Sequence, residues 1–213
     1  MIHCADYRNP WNNFFVPKIV TENLASHRDW RRNQLIAAAT EIALEESSAS
    51  ISIAAVAARA GLSRTSVYEY FASSQDLVAD LLIEELKSFA DLLAKAIEEQ
   101  SDPISALTVW IETSLNYVAD GRHLLAKSLH ATTLPRERSA EIASAHRQML
   151  APLNKTLSEL GITDTARALS QLQAITDVAT RRIESGAADA ADEIALTTEF
   201  YLRGVKALTK TFS

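Results

Sequence analysis

From Asp29 onward, apolar residues recur every three or four positions. Leu35, Ile36, Ala39, Ile42 and Ala43 form one such stripe, which a helix with a single buried face requires. Ser47-Ser48-Ala49-Ser50 interrupts it. Ser52 then stands as an N-cap, with Ile53, Val56, Ala57 and Ala60 pointing inward from a short second helix. Gly61 ends that helix, and Ser63 caps a third that runs from Arg64 to Phe71. Ser73 or Ser74 caps a fourth, predicted from Gln75 or Asp76 to about Glu99.

The same period continues to the end of the chain. Asp102-Pro103 opens a helix that reaches about Ala119 and stops at Gly121. A short one covers Arg122 to Ala131. Pro135 opens a longer one ending at Gly161, with Pro152 as a kink. Thr163 or Asp164 caps the next, which ends at Ser185-Gly186. The last spans about Asp189 to Thr209. No stretch alternates as a half-buried strand does, so the predicted fold is all-α with about nine helices. Residues 1–26, with Pro10, Pro17 and aromatics lacking a helical period, read as a poorly ordered tail.

Composition narrows the class. The chain has 213 residues, 47% of them hydrophobic, enough for one domain or a small one fused to a larger one. One cysteine, Cys4, excludes an intramolecular disulfide and any cysteine-based zinc cage. The N-terminus lacks the apolar core of a signal peptide, and no run is long enough to span a membrane. A cytoplasmic protein is expected. The net charge is −6, but residues 1–75 carry seven Lys/Arg and seven Asp/Glu, so all of it lies in the remainder. That asymmetry suggests two jobs: a neutral segment able to approach phosphate and an acidic body that is not.

Chemistry concentrates in Ser52–Phe71, SIAAVAARAGLSRTSVYEYF. Two short helices joined by a tight turn at Gly61 form a helix-turn-helix. Ala57 is small where the helices cross, Val67 enters the core, and Arg64, Thr65, Ser66 and Glu69 are left on the outer face, able to enter a major groove.

Residues about 31–77 resemble the N-terminal DNA-binding domain of the TetR family of transcriptional regulators. The string that carries the resemblance is Leu35-Ile36-x-Ala38-Ala39, then Ile53-x-x-Val56-Ala57-x-x-Ala60-Gly61-Leu62-Ser63, then Ser66-Val67-Tyr68-x-Tyr70-Phe71 and Leu77. The chain departs from the family at two places. Ser47-Ser48-Ala49 stands where a glycine is usual, and Ser74 where a phosphate-binding lysine is usual; His27, Arg28, Arg31 and Arg32 are candidates to compensate. The resemblance implies a DNA-binding domain at residues 27–74 and a ligand-binding and dimerisation domain at 75–213. Its implied DNA contacts are Arg32, Ser52, Ser63, Arg64, Thr65, Ser66, Tyr68 and Tyr70. Each tyrosine has the alternative of half-buried packing, and Arg64 that of a solvated charge.

The resemblance further implies a homodimer on a palindromic operator in double-stranded DNA, acting as a repressor that an unidentified small molecule releases. The helix from Gln75 to Glu99 would transmit the signal. The apolar stripes Leu169, Leu172, Ile175 and Ala179, then Ile194, Leu196, Phe200, Val205 and Leu208, are the expected dimer interface. Trp110, Ser114 and Tyr117 share a helical face, with His123, His130, His146 and Met149 as further ligand-pocket candidates; core packing is the alternative for the aromatic stripe. No tight His/carboxylate spacing points to a metal, no cofactor is expected, and no nucleophile or phosphate-loop motif points to an enzyme. The rival reading is a helical interaction module that has lost DNA binding.

Overall fold

The computed structural model describes residues 24–46, 50–130 and 134–211. The expected tail therefore lies almost wholly outside the described residues, as does the Ser47–Ala49 departure. Nine α-helices are described, with no strand among these residues: α1 (Leu24–Glu45), α2 (Ile53–Arg59), α3 (Arg64–Tyr68), α4 (Ser74–Glu98), α5 (Pro103–Ala119), α6 (Leu124–His130), α7 (Ser139–Glu159), α8 (Thr165–Glu184) and α9 (Ala190–Thr211). None is long and apolar enough to cross a membrane.

The caps fall where the side chains dictate. The hydroxyls of Ser52, Ser63 and Ser73 accept the backbone N–H groups of Ala55, Ser66 and Asp76, and the Asp102 carboxylate accepts those of Ile104 and Ser105. Asp164 caps α8 through Arg167 N–H.

Three boundaries differ from the sequence expectation. Helix α1 begins at Leu24 rather than Asp29, because nothing after Pro17 breaks a helix and His27, Arg28, Asp29 and Trp30, all exposed, need no buried stripe. Helix α3 ends at Tyr68; Tyr70 and Phe71 N–H groups both bond to Val67 C=O, so its last turn tightens. Pro135 precedes a 3₁₀ turn at Arg136–Arg138, and the α-helix proper starts at Ser139. Helix α7 continues through Pro152.

Two apolar cores result. The first joins Leu35, Val56, Val67 and Phe71 to Leu77 and Leu82 of α4, Leu125 and Leu129 of α6 and Ala145 of α7. The second joins Leu93 of α4 to Leu107 and Trp110 of α5, Leu153 and Leu157 of α7, Leu172 of α8 and Tyr201 of α9. Helix α4 thus belongs to both: its first half packs under the helix-turn-helix and its second half under the body.

Candidate nucleic-acid interface

The reversal between α2 and α3 rests on backbone chemistry. Leu62 N–H bonds to Ala57 C=O at 2.9 Å and Gly61 N–H to Ala58 C=O at 3.3 Å, with Gly61 at φ +68°. This paired closure needs a residue that tolerates the left-handed region. Ala57 and Val67 are buried at the crossing. What remains outside is polar: Ser52, Ser63, Arg64, Thr65 and Tyr68 are exposed, and Ser66 and Tyr70 are half-buried. Tyr68 is 57% exposed, which removes the packing alternative for its ring.

The serine caps are hydroxyls that also carry a donor hydrogen. Ser52 and Ser63 accept a backbone N–H, and Ser63 and Ser66 hydroxyls lie 3.0 Å apart. Their hydrogens and the uncovered first-turn N–H groups of α2 can still donate to an anion. Tyr70 lies under the Arg28 guanidinium, 6.0 Å from its ring centroid, so a cation from α1 sits beside the tyrosine.

Two other arginines of this region, Arg59 and Arg32, are engaged. Arg59 bonds Glu45 at 2.7 Å and Glu41 at 3.3 Å, tying α2 to α1. Its hydrogen bonds to the two glutamates hold its charge, and the same bond holds the Glu45 carboxyl below its ordinary range. Arg32, expected at the DNA, instead reaches Asp80 of α4 at 2.6 Å, with Glu84 at 3.8 Å. Ser74, in the place of the family's lysine, bonds Gln75.

Asp80 also accepts from Arg138, which lies just before α7. Arg138 bonds Asp76 and Asp80, and Glu141 at 2.9 Å. Burial opposes the guanidinium's charge, but the hydrogen bonds it donates to Asp80 and Asp76 outweigh it and raise its pKa. Asp76 in turn accepts Ala72 N–H at the end of the helix-turn-helix segment. One arginine therefore fastens the body to the first turns of α4 and, through Asp80, to α1. Sequence reading missed Arg138 because its partners lie 58 and 62 residues away.

The ligand candidates divide. Trp110, Ser114, Tyr117 and Met149 are buried in the body, and Trp110 Nε1 has no hydrogen-bond partner among the described residues. His123 Nε2 meets Glu184 at 2.5 Å, beside Lys127. His146 is exposed on α7, so it does not share an interior with Trp110. His130 closes α6, and its side chain lies outside what is described.

The dimer candidates divide too. Leu172, Ala179, Ile194 and Val205 are buried in the chain's own core and present nothing to a second chain. Leu169 and Ile175 are half-buried. Phe200 and Leu196 are each 65% exposed, with Leu208 and Val178 nearly half-exposed. Val178 was absent from the expected stripe. Two grooves of about 410 and 440 Å³ lie between α8 and α9, both lined by Ala174, Ile175 and Phe200.

Comparison with known proteins places this geometry. Residues 35–81 match the family described as bacterial regulatory proteins, tetR family. No curated protein matches in sequence. Among solved structures, a putative transcriptional regulator from Pseudomonas aeruginosa PAO1 is similar at TM-score 0.71 and 19% identity, over 87% of this chain and 95% of that one. A TetR/AcrR-family regulator from Thermobifida fusca YX-ER1 is similar at 0.66 and 20%, over 82% and 97%. The regulator FadR from Bacillus subtilis, in complex with stearoyl-CoA, is similar at 0.63 and 21%, over 81% and 97%. The matched segment contains the whole helix-turn-helix and its packing onto α4, and the described chain shares the fold of these solved regulators: residues 35–81 are similar to the tetR family of bacterial regulatory proteins, and the likeness beyond them is one of fold.

Proposed function

We propose that the protein is a homodimeric repressor that binds a palindromic operator and is released from it by a small molecule. The observation that carries this reading is the outer face of α2 and α3. It places Arg64, Thr65 and Tyr68 in solvent beside two helix N-termini, on a scaffold pinned by Val67 and Gly61. Arg64 and Thr65 would read base edges; Ser52, Ser63, Ser66 and Tyr70 would hold phosphates, with Arg28 taking the charge that Ser74 does not supply. Arg32 would act indirectly, by fixing α1 to α4.

Two copies are required because one five-residue recognition helix reads too few base pairs for operator specificity. The exposed apolar ridge of Leu196, Phe200, Leu208 and Val178 supports pairing through α8 and α9. The division into a head at residues 27–74 and a body at 75–213 follows the same reading, with α4 as the element both share. A ligand in the body would act by favouring one arrangement of α4 over another. Selection from a random DNA library tests the proposal. An enriched inverted repeat with half-sites about one helical turn apart is expected; no enrichment would turn the reading to an interaction module.

A further inference from the structure

Between the two cores lies a group that neither explains. Glu85 of α4 is buried, 7% exposed, and accepts the Tyr117 hydroxyl of α5. The Tyr117 ring stacks on Phe89, with centroids 4.4 Å apart. A carboxylate buried among apolar groups is costly unless a positive charge approaches it. Burial pushes the Glu85 carboxyl above its ordinary value, and the Tyr117 hydrogen bond and the Arg122 charge pull it back only in part.

The positive charge that does approach is Arg122. Its guanidinium lies 4.7 Å from the Tyr117 ring centroid, on the ring's negative face. It has no ion pair to a carboxylate within 4 Å among the described residues, and its residue is exposed. Its backbone is fixed: Arg122 N–H bonds to Tyr117 C=O at 3.1 Å, with Gly121 at φ +72° reversing the chain. The side chain thus folds back over the last turn of the helix it has just left. It is held there by a ring face and by the field of Glu85, which any other cation could use equally well.

We infer that Glu85, Phe89 and Tyr117 form a receptor site for an organic cation, an ammonium or guanidinium compound, and that Arg122 is the occupant it displaces. The inference rests on the ligand-responsive reading and gives that ligand a chemical class. Displacement has a route to the DNA-binding head. Leu124 N–H bonds to Gly121 C=O at the start of α6, and α6 buries Leu125 and Leu129 in the first core, against α1 and α4. The acidic excess of residues 76–213 raises the local concentration of cations around the body.

The test uses full-length protein and two soluble isosteres, choline and uncharged 3,3-dimethylbutan-1-ol, with binding followed by isothermal titration calorimetry. Arg122→Ala removes the internal occupant at an exposed position. It should bind choline about tenfold more tightly than wild type, as loss of a competing cation–π and charge interaction implies. Adding Glu85→Gln, an isosteric change, should sharply reduce the preference for choline over the alcohol, leaving only what the Tyr117 ring face supplies. Equal affinity for the two isosteres, or no choline binding by Arg122→Ala, overturns the inference. Operator binding is measured on the same preparations. Specific DNA binding without choline binding removes only the ligand class, whereas choline binding without specific DNA binding removes the regulator reading.

Discussion

Arg138 offers the sharpest test of how the head is joined to the body. Arg138→Met keeps most of the side chain's length and removes its charge. Three carboxylates lose a partner: Asp76, Asp80 and Glu141. Asp80 keeps Arg32, but Asp76 has no other cation within 4 Å among the described residues. Breaking a fully buried pair costs about 3–5 kcal/mol, because the surviving charge is stranded. Here Arg138 is 19% exposed and the two aspartates 24% and 12%, so water recovers part of that loss. A cost of roughly 2–3 kcal/mol remains.

At about 2–4 °C per kcal/mol for a chain of this size, the melting temperature should fall by roughly 4–12 °C. Circular dichroism melts at pH 7.5 measure it. A second substitution supplies the control. Arg138→Met with Asp80→Asn should be less destabilised than the two single losses added together, because the neutral amide strands no charge there. Operator affinity should also fall without a change in base preference, since the network sits behind α3 and touches no base-reading residue. An unchanged melting temperature, or strictly additive losses, would refute the reasoning.

Three further outcomes are expected. Tyr70→Phe should weaken binding to all DNA sequences alike, about tenfold or more per dimer for two lost phosphate hydrogen bonds, as read by fluorescence anisotropy. Phe200→Glu should raise the dimer dissociation constant by more than about 100-fold in analytical ultracentrifugation, because two largely exposed rings would no longer be buried. Glu85→Gln should be more stable than wild type at pH 7.5, with the gap closing near pH 4. The folded state raises this carboxyl above its ordinary 4.5, so the stabilisation it gives is complete below that value and is lost as pH rises through the folded value.

Local features were legible in the sequence to different depths. Caps and turns were read from single residues: Ser52, Ser63, Asp102 and Gly61 each act within four residues of themselves, and the chemistry needs no tertiary information. The core face of the helix-turn-helix followed from period and side-chain size. The dimer face was only half legible. A 3.6-residue period marks Leu172 and Phe200 alike as apolar, and it cannot say that the first faces its own chain and the second faces solvent. The place of Arg32 was hidden for a related reason. Its choice between a phosphate and Asp80 is set by the approach of α4, which begins 42 residues later. Glu85 and Arg122 carried no local signal at all. A glutamate on a long helix and an arginine after a glycine look like solvated charges until α4 and α5 are packed side by side.

The central claim is sequence-specific DNA binding by the face that α2 and α3 present. Fluorescence anisotropy of the purified protein on its selected operator, with unrelated DNA as competitor and salt varied, addresses it most directly. Arg28, Arg31 and Arg64 are the head arginines of the described helices with no ion pair within 4 Å among the described residues, so a dimer engaging all of them gives a salt slope near −5. An affinity of about 10⁻⁸ M or tighter, at least about 10³-fold above that for unrelated DNA, is the expected result. Weak binding that unrelated DNA competes away equally would contradict the account.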